Sequence, residues 1–315
     1  MNSTMHPNTL LVGGRAHAWA IMAAILLASV FPVDLLPSAP QALQGADGQY
    51  SGKQGHVVLV RVPTGGHPAD VTGRFLGRTI PFFPAPGDRA EGAIGLLGID
   101  MQDKPGMHEL MVEVHGRGAM RRLSYNVLVI KESYPVQHMT LPSEKVDLDD
   151  ENLVRVKAEQ EQVQAVLQGV SRERLWDSPF LEPVQGEVAG VFGRTRIING
   201  QARSPHNGED ITAPLGTSVV AMNDGIARLT VDHFFSGKGV FLDHGLGLYS
   251  MYFHLAEVLV QDGAMVKRGQ PIGKVGATGR ATGPHLHLGV RLNGARVDPY
   301  ALVNLPLDGV VQASR

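Results

Sequence analysis

Three short segments between residues 206 and 287 carry side chains that can hold a metal ion and move protons. The segments read His-x-Gly-x-Asp, Tyr-x-His-Leu and Gly-Pro-His-x-His, and their candidate groups are His206, Asp210, His254, His285 and His287. A catalytic zinc site takes three protein ligands from His, Asp or Glu and keeps a fourth position for water. The four imidazoles and one carboxylate suit such a site and leave two imidazoles for proton transfer.

The spacing of these residues indicates how they can converge. His285 and His287 begin a run that reads as a strand, in which residues i and i+2 face the same side. His206 and Asp210 are four apart, but a proline before them and a glycine between them favour an extended or looped segment over a helix. A strand also places i and i+4 on one side. A single histidine is more often structural than a ligand, so the prediction depends on all three segments occurring together.

Taken in order, the three segments resemble the motifs of the lysostaphin-type zinc metallopeptidases, which cut the peptide part of bacterial peptidoglycan. The resemblance covers roughly residues 184–303 and includes the sequence Phe-Gly-Arg-Thr-Arg at 192–196. It implies one Zn²⁺ per chain and a catalytic pair of imidazoles beside the open metal position. The implied zinc ligands are His206, Asp210 and His287, and the implied catalytic pair is His254 and His285.

The residues leave the order within the catalytic pair open. No glutamate stands where a thermolysin-like enzyme has its base, so an imidazole must accept the proton. His285 is the expected base and His254 the expected group that stabilises the oxyanion, with the reverse order as the alternative.

One position departs from the family pattern. The residue before the metal-binding aspartate is usually apolar in this family, and here it is Glu209. We expect a solvated glutamate without a role. The alternative is a side chain at the rim of the groove that alters substrate preference.

Two functions of different class follow from the resemblance. The first is a zinc endopeptidase that hydrolyses peptide cross-links of peptidoglycan in the cell envelope, with peptide stems as its partners. The second is a non-catalytic relative that binds the wall or activates an amidase through the same groove. Such relatives typically lack ligands or catalytic histidines, whereas all five positions are occupied here, which favours catalysis.

Composition narrows the class of protein. The chain has 315 residues, 43% of them apolar, and a formal net charge of −2, which are typical of a globular protein with more than one domain. Neither nucleic acid nor an acidic membrane is an implied partner. Cysteine is absent, so a metal must be held by nitrogen and oxygen donors.

The first 40 residues are predicted to form a signal peptide or a membrane anchor. The stretch 18–31 is apolar except for Ser29 and is then broken by Pro32 and Asp34, which is short for a membrane-spanning helix. A signal peptide is favoured and an uncleaved inner-membrane anchor is the alternative. Either one would export the rest of the chain to the periplasm or cell envelope.

The remainder predicts a mainly β protein with one linking helix. Residues 50–134 contain short apolar runs between turn residues, as in a small immunoglobulin-like β-sandwich; the runs are 57–62, 71–76, 80–83, 96–99, 110–114 and 125–130. Residues 145–183 form a helical linker, with an amphipathic helix at 152–168 that packs on its own chain or, alternatively, acts as a self-inhibitory or partner helix. Residues 184–304 form the peptidase domain, built on a β-sheet with a repeated hairpin unit, and 305–315 form a tail.

Overall fold

The computed structural model describes residues 48–65, 70–86, 92–116, 119–140, 149–307 and 310. The predicted signal peptide or anchor at 1–40 lies outside the described residues, as does most of the predicted tail. Neither helix within the described ranges has the length and apolar character that crossing a membrane requires.

The N-terminal part of the described chain, up to residue 130, forms a seven-stranded sheet with the order β1-β7-β6-β3-β4-β5-β2. Its strands are β1 (Gln49–Lys53), β2 (Val57–Val62), β3 (Asp70–Phe75), β4 (Arg78–Pro84), β5 (Ala93–Gly98), β6 (Gly106–Gly116) and β7 (Ala119–Ile130). All pairings are antiparallel except that of β1 with β7. The six predicted apolar runs coincide with β2 to β7, which confirms the all-β character of this part.

The linker contains the predicted helix, α1 (Asp150–Leu167). It begins where the sequence indicates, because the carboxylate of Asp149 accepts a hydrogen bond from the backbone N–H of Asn152 at 2.8 Å. Val156 is its buried residue, and Val163 and Leu167 pack with a cluster on the C-terminal sheet. The helix therefore packs on its own chain.

The rest of the described chain, after residue 130, is organised around a larger sheet. Along its main path the strand order is β17-β14-β15-β16-β19-β12-β9. The elements that follow β7 in the chain, apart from α1, are β8 (Val136–Met139), β9 (Glu187–Gly190), β10 (Thr195–Ile198), β11 (Gln201–Ala202), β12 (Gly208–Thr212), β13 (Ser218–Val220), β14 (Gly225–His233), β15 (Gly237–Asp243), β16 (Leu248–Val258), β17 (Met265–Val266), β18 (Pro271–Val275), β19 (His285–Leu292), β20 (Ala295–Val297) and α2 (Pro299–Val303). A small separate sheet has the order β11-β10-β8.

The repeated units expected from the sequence are present and interlock. The short strand β13 pairs with β18, and the short strand β17 pairs with β14. Each short strand therefore pairs with the longer strand of the other unit, which lets two units that are too small to bury a core share one.

The two faces of the large sheet have opposite roles. Along β19, Leu286 and Leu288 point into the hydrophobic core and are almost fully buried. The alternating residues, including His285 and His287, point to the other face. That second face also carries Leu229, Phe241 and Met251, on which α1 packs. The candidate metal ligands and α1 thus share one face of the sheet.

The N-terminal sheet and the C-terminal sheet share part of one hydrophobic core. Leu96 and Phe83 belong to the same buried cluster as Trp176 and Leu292. Polar contacts reinforce this packing: the Arg296 guanidinium donates to both carboxylate oxygens of Asp100 at 2.6 and 2.9 Å. The C-terminal sheet is therefore supported on its core face by the N-terminal sheet.

A buried polar chain crosses the core beneath the site. The imidazole of His244 lies 2.7 Å from the Asp224 carbonyl and 2.7 Å from the Ser250 hydroxyl. The Ser250 hydroxyl lies 2.8 Å from that of Tyr252, which accepts the backbone N–H of Met222 at 3.0 Å. Such a chain stabilises the fold only while every member keeps its partner.

Tyr252→Phe should destabilise the protein, because it leaves the buried N–H of Met222 and the Ser250 hydroxyl without their partner. We expect a loss of about 1–3 kcal/mol in the free energy of unfolding, measured by urea denaturation. Tyr125→Phe is the matched control, because no described residue bonds the Tyr125 hydroxyl. Equal stability of the two variants would contradict this account.

The pH dependence of stability tests the same buried hydrogen-bonded groups at His244. Burial lowers the pKa of His244 to about 4, although its bond to the Asp224 carbonyl acts in the other direction. Because the folded pKa lies below the unfolded value of about 6.5, neutral His244 stabilises the fold above pH 6.5, and this contribution disappears as pH falls towards 4.

His244→Gln should therefore lose less stability than the wild type between pH 6.5 and 4, by up to about 3 kcal/mol. The measurement is urea unfolding at a series of pH values. His138→Gln removes an exposed imidazole and should follow the wild-type curve. A His244 variant with an unchanged slope would show that this histidine is not held neutral.

Candidate active site

Three side chains converge at one point on the open face of the large sheet. Asp210 on β12 lies directly opposite His287 on β19 in the antiparallel register, and the imidazole of His206 reaches the same point from the chain before β12. Asp210 Oδ1 lies 2.8 Å from His287 Nδ1 and 3.1 Å from His206 Nε2. The three donor atoms all fall within 4.8 Å of one another. The sequence predicts an extended or looped segment around His206 and Asp210, and Asp210 does lie in a strand, β12.

Backbone contacts fix the orientation of His206. The His206 N–H donates to the Arg194 carbonyl at 2.9 Å, and its carbonyl accepts from the Gly193 N–H at 2.8 Å. Its ring Nδ1 lies 3.2 Å from the Val191 carbonyl. With a metal ion bound, a hydrogen on Nδ1 directed at the Val191 carbonyl would leave Nε2 free to bind the ion, which is the arrangement of a metal-binding histidine.

The Asp210 carboxylate is held ionised. Burial opposes its charge, but the hydrogen bonds with His206 and His287 outweigh burial and keep the pKa of Asp210 well below its usual range. Two imidazoles and one carboxylate form a nitrogen and oxygen donor set that suits zinc. The chemistry and spacing of the three residues therefore fit a divalent metal ion.

Two glycines make room for these side chains. A Cβ atom at Gly208 would lie 2.7 Å from His287 Nε2, and one at Gly190 would lie 2.3 Å from Asp210 Oδ2. Any larger residue at either position would displace the imidazole or the carboxylate. Glycine is therefore part of the site although it supplies no donor.

Two further imidazoles lie beside the three donors. The rings of His254 and His285 are 4.7 Å apart between centroids, and that of His254 is 6.0 Å from the ring of His287. His285 Nε2 lies 3.7 Å from Asp210 Oδ1. The structure thus brings together all five residues that the sequence singled out.

His254 reaches the site through an unusual backbone conformation. Its φ is +60°, in the left-handed region that few non-glycine residues adopt, and the pairing of β15 with β16 shifts register just before it. Its N–H donates to the Ser236 carbonyl at 2.9 Å. Without this local turn, His254 would share the buried face of Tyr252, two residues earlier in the strand.

Both of these rings present the same atom to the cleft. Nδ1 of His254 lies 2.8 Å from the Thr278 carbonyl, and Nδ1 of His285 lies 2.8 Å from the Gly283 carbonyl. Burial lowers the pKa of His254 to about 4, although its bond to Thr278 acts in the opposite direction. A neutral ring held by Nδ1 offers Nε2 as a proton acceptor.

Both sequence-based expectations for Glu209, a solvated side chain or a residue at the rim of the groove, are wrong. Glu209 is only 5% exposed and lies on the face opposite to Asp210. Its carboxyl accepts the Phe192 N–H at 2.8 Å, and burial raises its pKa to about 7. Glu209 therefore ties down the segment from Val191 to Arg194 that positions His206.

The helix α1 is tied to the loop beside the cleft. The carboxylate of Glu159 on α1 accepts the Phe234 N–H at 3.0 Å. The same loop supplies the Ser236 carbonyl that His254 bonds. The groups that the loop contributes, the Phe234 N–H and the Ser236 carbonyl, belong to the backbone and carry no residue-specific signal in the sequence.

Comparison with known proteins places the site in a family. The sequence model of peptidase family M23 matches residues 204–299, a range that contains all five site residues. Peptidoglycan DD-endopeptidase ShyA of Vibrio cholerae serotype O1 is 41% identical over 104 residues, which are 33% of this chain and 24% of that protein. DD-carboxypeptidase/endopeptidase Mpg of Neisseria meningitidis serogroup B is 40% identical over 110 residues, 35% of this chain and 25% of Mpg. The chain thus spans about a quarter of the length of these curated relatives.

A solved structure extends the likeness beyond the site. A Pseudomonas aeruginosa protein assigned to peptidase M23 is 30% identical to this chain, with a TM-score of 0.60. The alignment covers 80% of this chain and 95% of that one, so it includes more than the C-terminal sheet. With the motifs intact and nearly the whole of this relative aligned, the chain belongs to peptidase family M23.

Proposed function

We propose that this protein is a zinc-dependent endopeptidase that hydrolyses peptide cross-links of bacterial peptidoglycan in the cell envelope. The observation that carries the proposal is the meeting of His206, Asp210 and His287, with His254 and His285 beside them. A site that only bound the wall would have no need of two imidazoles with free acceptor atoms next to a metal-binding cluster. The relatives ShyA and Mpg, which are named as peptidoglycan DD-endopeptidase and DD-carboxypeptidase/endopeptidase, support the same substrate class.

In this proposal His206 Nε2, Asp210 Oδ1 and His287 Nδ1 hold one zinc ion per chain. When bound, zinc lowers the pKa of its water to about 7 and polarises the scissile carbonyl. The Val191 carbonyl keeps the His206 ring in the orientation in which Nε2 can bind the zinc ion.

Proton transfer falls to the two remaining imidazoles. We assign proton acceptance to Nε2 of His285 and stabilisation of the developing oxyanion to His254, whose Nε2 would have to carry a hydrogen for that role. The carbonyls of Gly283 and Thr278 hold the rings so that both Nε2 atoms face the cleft. The reverse assignment uses the same two atoms, so loss of either ring should impair turnover.

The proposal extends to the rest of the chain. Residues 184–304 act as the catalytic domain, 145–183 as the linker and 50–134 as the supporting β domain. Export to the periplasm through residues 1–40, as a cleaved signal or as an inner-membrane anchor, would bring the catalytic domain to its substrate.

Single substitutions should separate the two groups of residues. His206→Ala, Asp210→Ala and His287→Ala should lose zinc and hydrolysis together, because each removes one donor. His254→Ala and His285→Ala should keep zinc but lose about 10²–10⁴-fold in turnover. The measurements are elemental analysis of zinc and release of soluble fragments from labelled peptidoglycan.

The control is His138→Gln, an exposed imidazole that should keep both zinc and turnover. Hydrolysis that persists in a zinc-free Asp210 variant would contradict the proposal. Wild-type protein that binds zinc and peptidoglycan but releases no fragments would instead be a binding protein. Mass spectrometry of fragments from sacculi of defined composition would identify the bond, with D-Ala–diaminopimelate cross-links as the first candidate.

A further inference from the structure

Three arginines outside the metal cluster lie on the two segments that flank it, a hairpin beside His206 and a loop beside His254. Arg196 on β10 and Arg203 after β11 face each other across a hairpin, since the Arg203 N–H donates to the Arg196 carbonyl at 2.9 Å. Side chains directly opposite in an antiparallel pair have Cβ atoms about 5 Å apart, and like charges there destabilise the pair. This hairpin thus carries an electrostatic cost.

The third arginine comes from the other side of the cleft. Arg280 lies two residues after Thr278, whose carbonyl holds the His254 ring at 2.8 Å. Its N–H donates to the Phe235 carbonyl at 2.9 Å, and its guanidinium carbon lies 4.2 Å from the centre of the Phe235 ring. The side chain is therefore held in place although much of it remains accessible to solvent.

The charges of the three side chains affect one another. Partial burial, and then the nearby charges of Arg196 and Arg203, lower the pKa of the Arg280 guanidinium. The positive charge of the hairpin therefore acts on the side chain of the loop. Arg194, two residues before Arg196, accepts the His206 N–H at its carbonyl, so the cluster adjoins both His206 and His254.

No carboxylate within the described part of the chain pairs with these cations. The ion pairs among the described residues involve other lysines, arginines and histidines. The Nε atoms of Arg196 and Arg203 are moreover buried without a hydrogen-bond partner. A buried donor without a partner is unfavourable, so the fold does not satisfy these two guanidiniums fully.

We propose that Arg196, Arg203 and Arg280 form a binding site for a carboxylate group of the peptide substrate. This inference rests on the proposed function and names the part of the substrate that is recognised. A guanidinium binds a carboxylate through two parallel hydrogen bonds, and a bound anion would offset the mutual repulsion of the cations. The site would seat an anionic end or side chain of the peptide while the bond to be cut lies at the metal cluster.

Binding of paired peptides tests the proposal on the full zinc-loaded chain. The probes are a synthetic peptidoglycan stem peptide with a free C-terminal carboxylate and the same peptide as its amide, titrated by calorimetry. Wild-type protein should bind the carboxylate form at least about 10-fold more tightly. Arg280→Ala and Arg203→Gln should each remove most of that preference, and Arg280→Lys should keep part of it.

Hydrolysis provides a second readout. The same variants should raise KM for the carboxylate peptide about 10-fold and leave kcat nearly unchanged, because they remove binding that ground and transition states share. Arg203→Gln should also leave the melting temperature unchanged or higher, since it relieves repulsion. A purely structural arginine would lower it.

Arg74→Ala is the matched control, an exposed arginine on β3 without an ion pair among the described residues. It should match the wild type in both assays, and zinc analysis of every variant excludes loss of the metal. Equal affinity of the wild type for the carboxylate and amide peptides would overturn the proposal. Wild-type protein that discriminates the peptides but cleaves no wall substrate would overturn the proposed function and leave the carboxylate site standing.

Discussion

The register between β12 and β19 is the constraint on which the site depends. Asp210 stands opposite His287 because Ile211 stands opposite Leu286, and both of those residues are fully buried. A slip of one residue would turn the apolar side chains to solvent and the metal ligands into the core. Burial of the apolar face therefore fixes the positions of the donors, and the same contacts that stabilise the fold build the site.

The supporting elements act through this sheet. The N-terminal sheet and the C-terminal strands share one core on the buried face, and the ion pair of Arg296 with Asp100 joins them at its edge. On the open face α1 covers the apolar area around Phe241 and Met251, so that the imidazoles lie beside a covered surface. Glu159 then links α1 to the loop that bonds His254. The cleft is held from both sides.

Much of this architecture follows from sequence patterns, because alternation and turn residues report directly on strands. The runs from Val57 to Ile130 and the helix after Asp149 were predictable for that reason, and spacing alone placed His285 and His287 on one side of a strand. The position of Glu209 was not predictable, since it follows only from knowing that Asp210 faces the cleft. The left-handed backbone of His254 depends on a register shift with a neighbouring strand. The arginine cluster joins a hairpin and a loop about 80 positions apart, which no local pattern reveals.

Anomalous diffraction at the zinc absorption edge, from crystals of the zinc-loaded protein, tests the central claim most directly. We expect a single strong peak within bonding distance of His206 Nε2, Asp210 Oδ1 and His287 Nδ1, with His254 and His285 outside that distance. A peak that lies elsewhere, or one coordinated without Asp210, would contradict that claim.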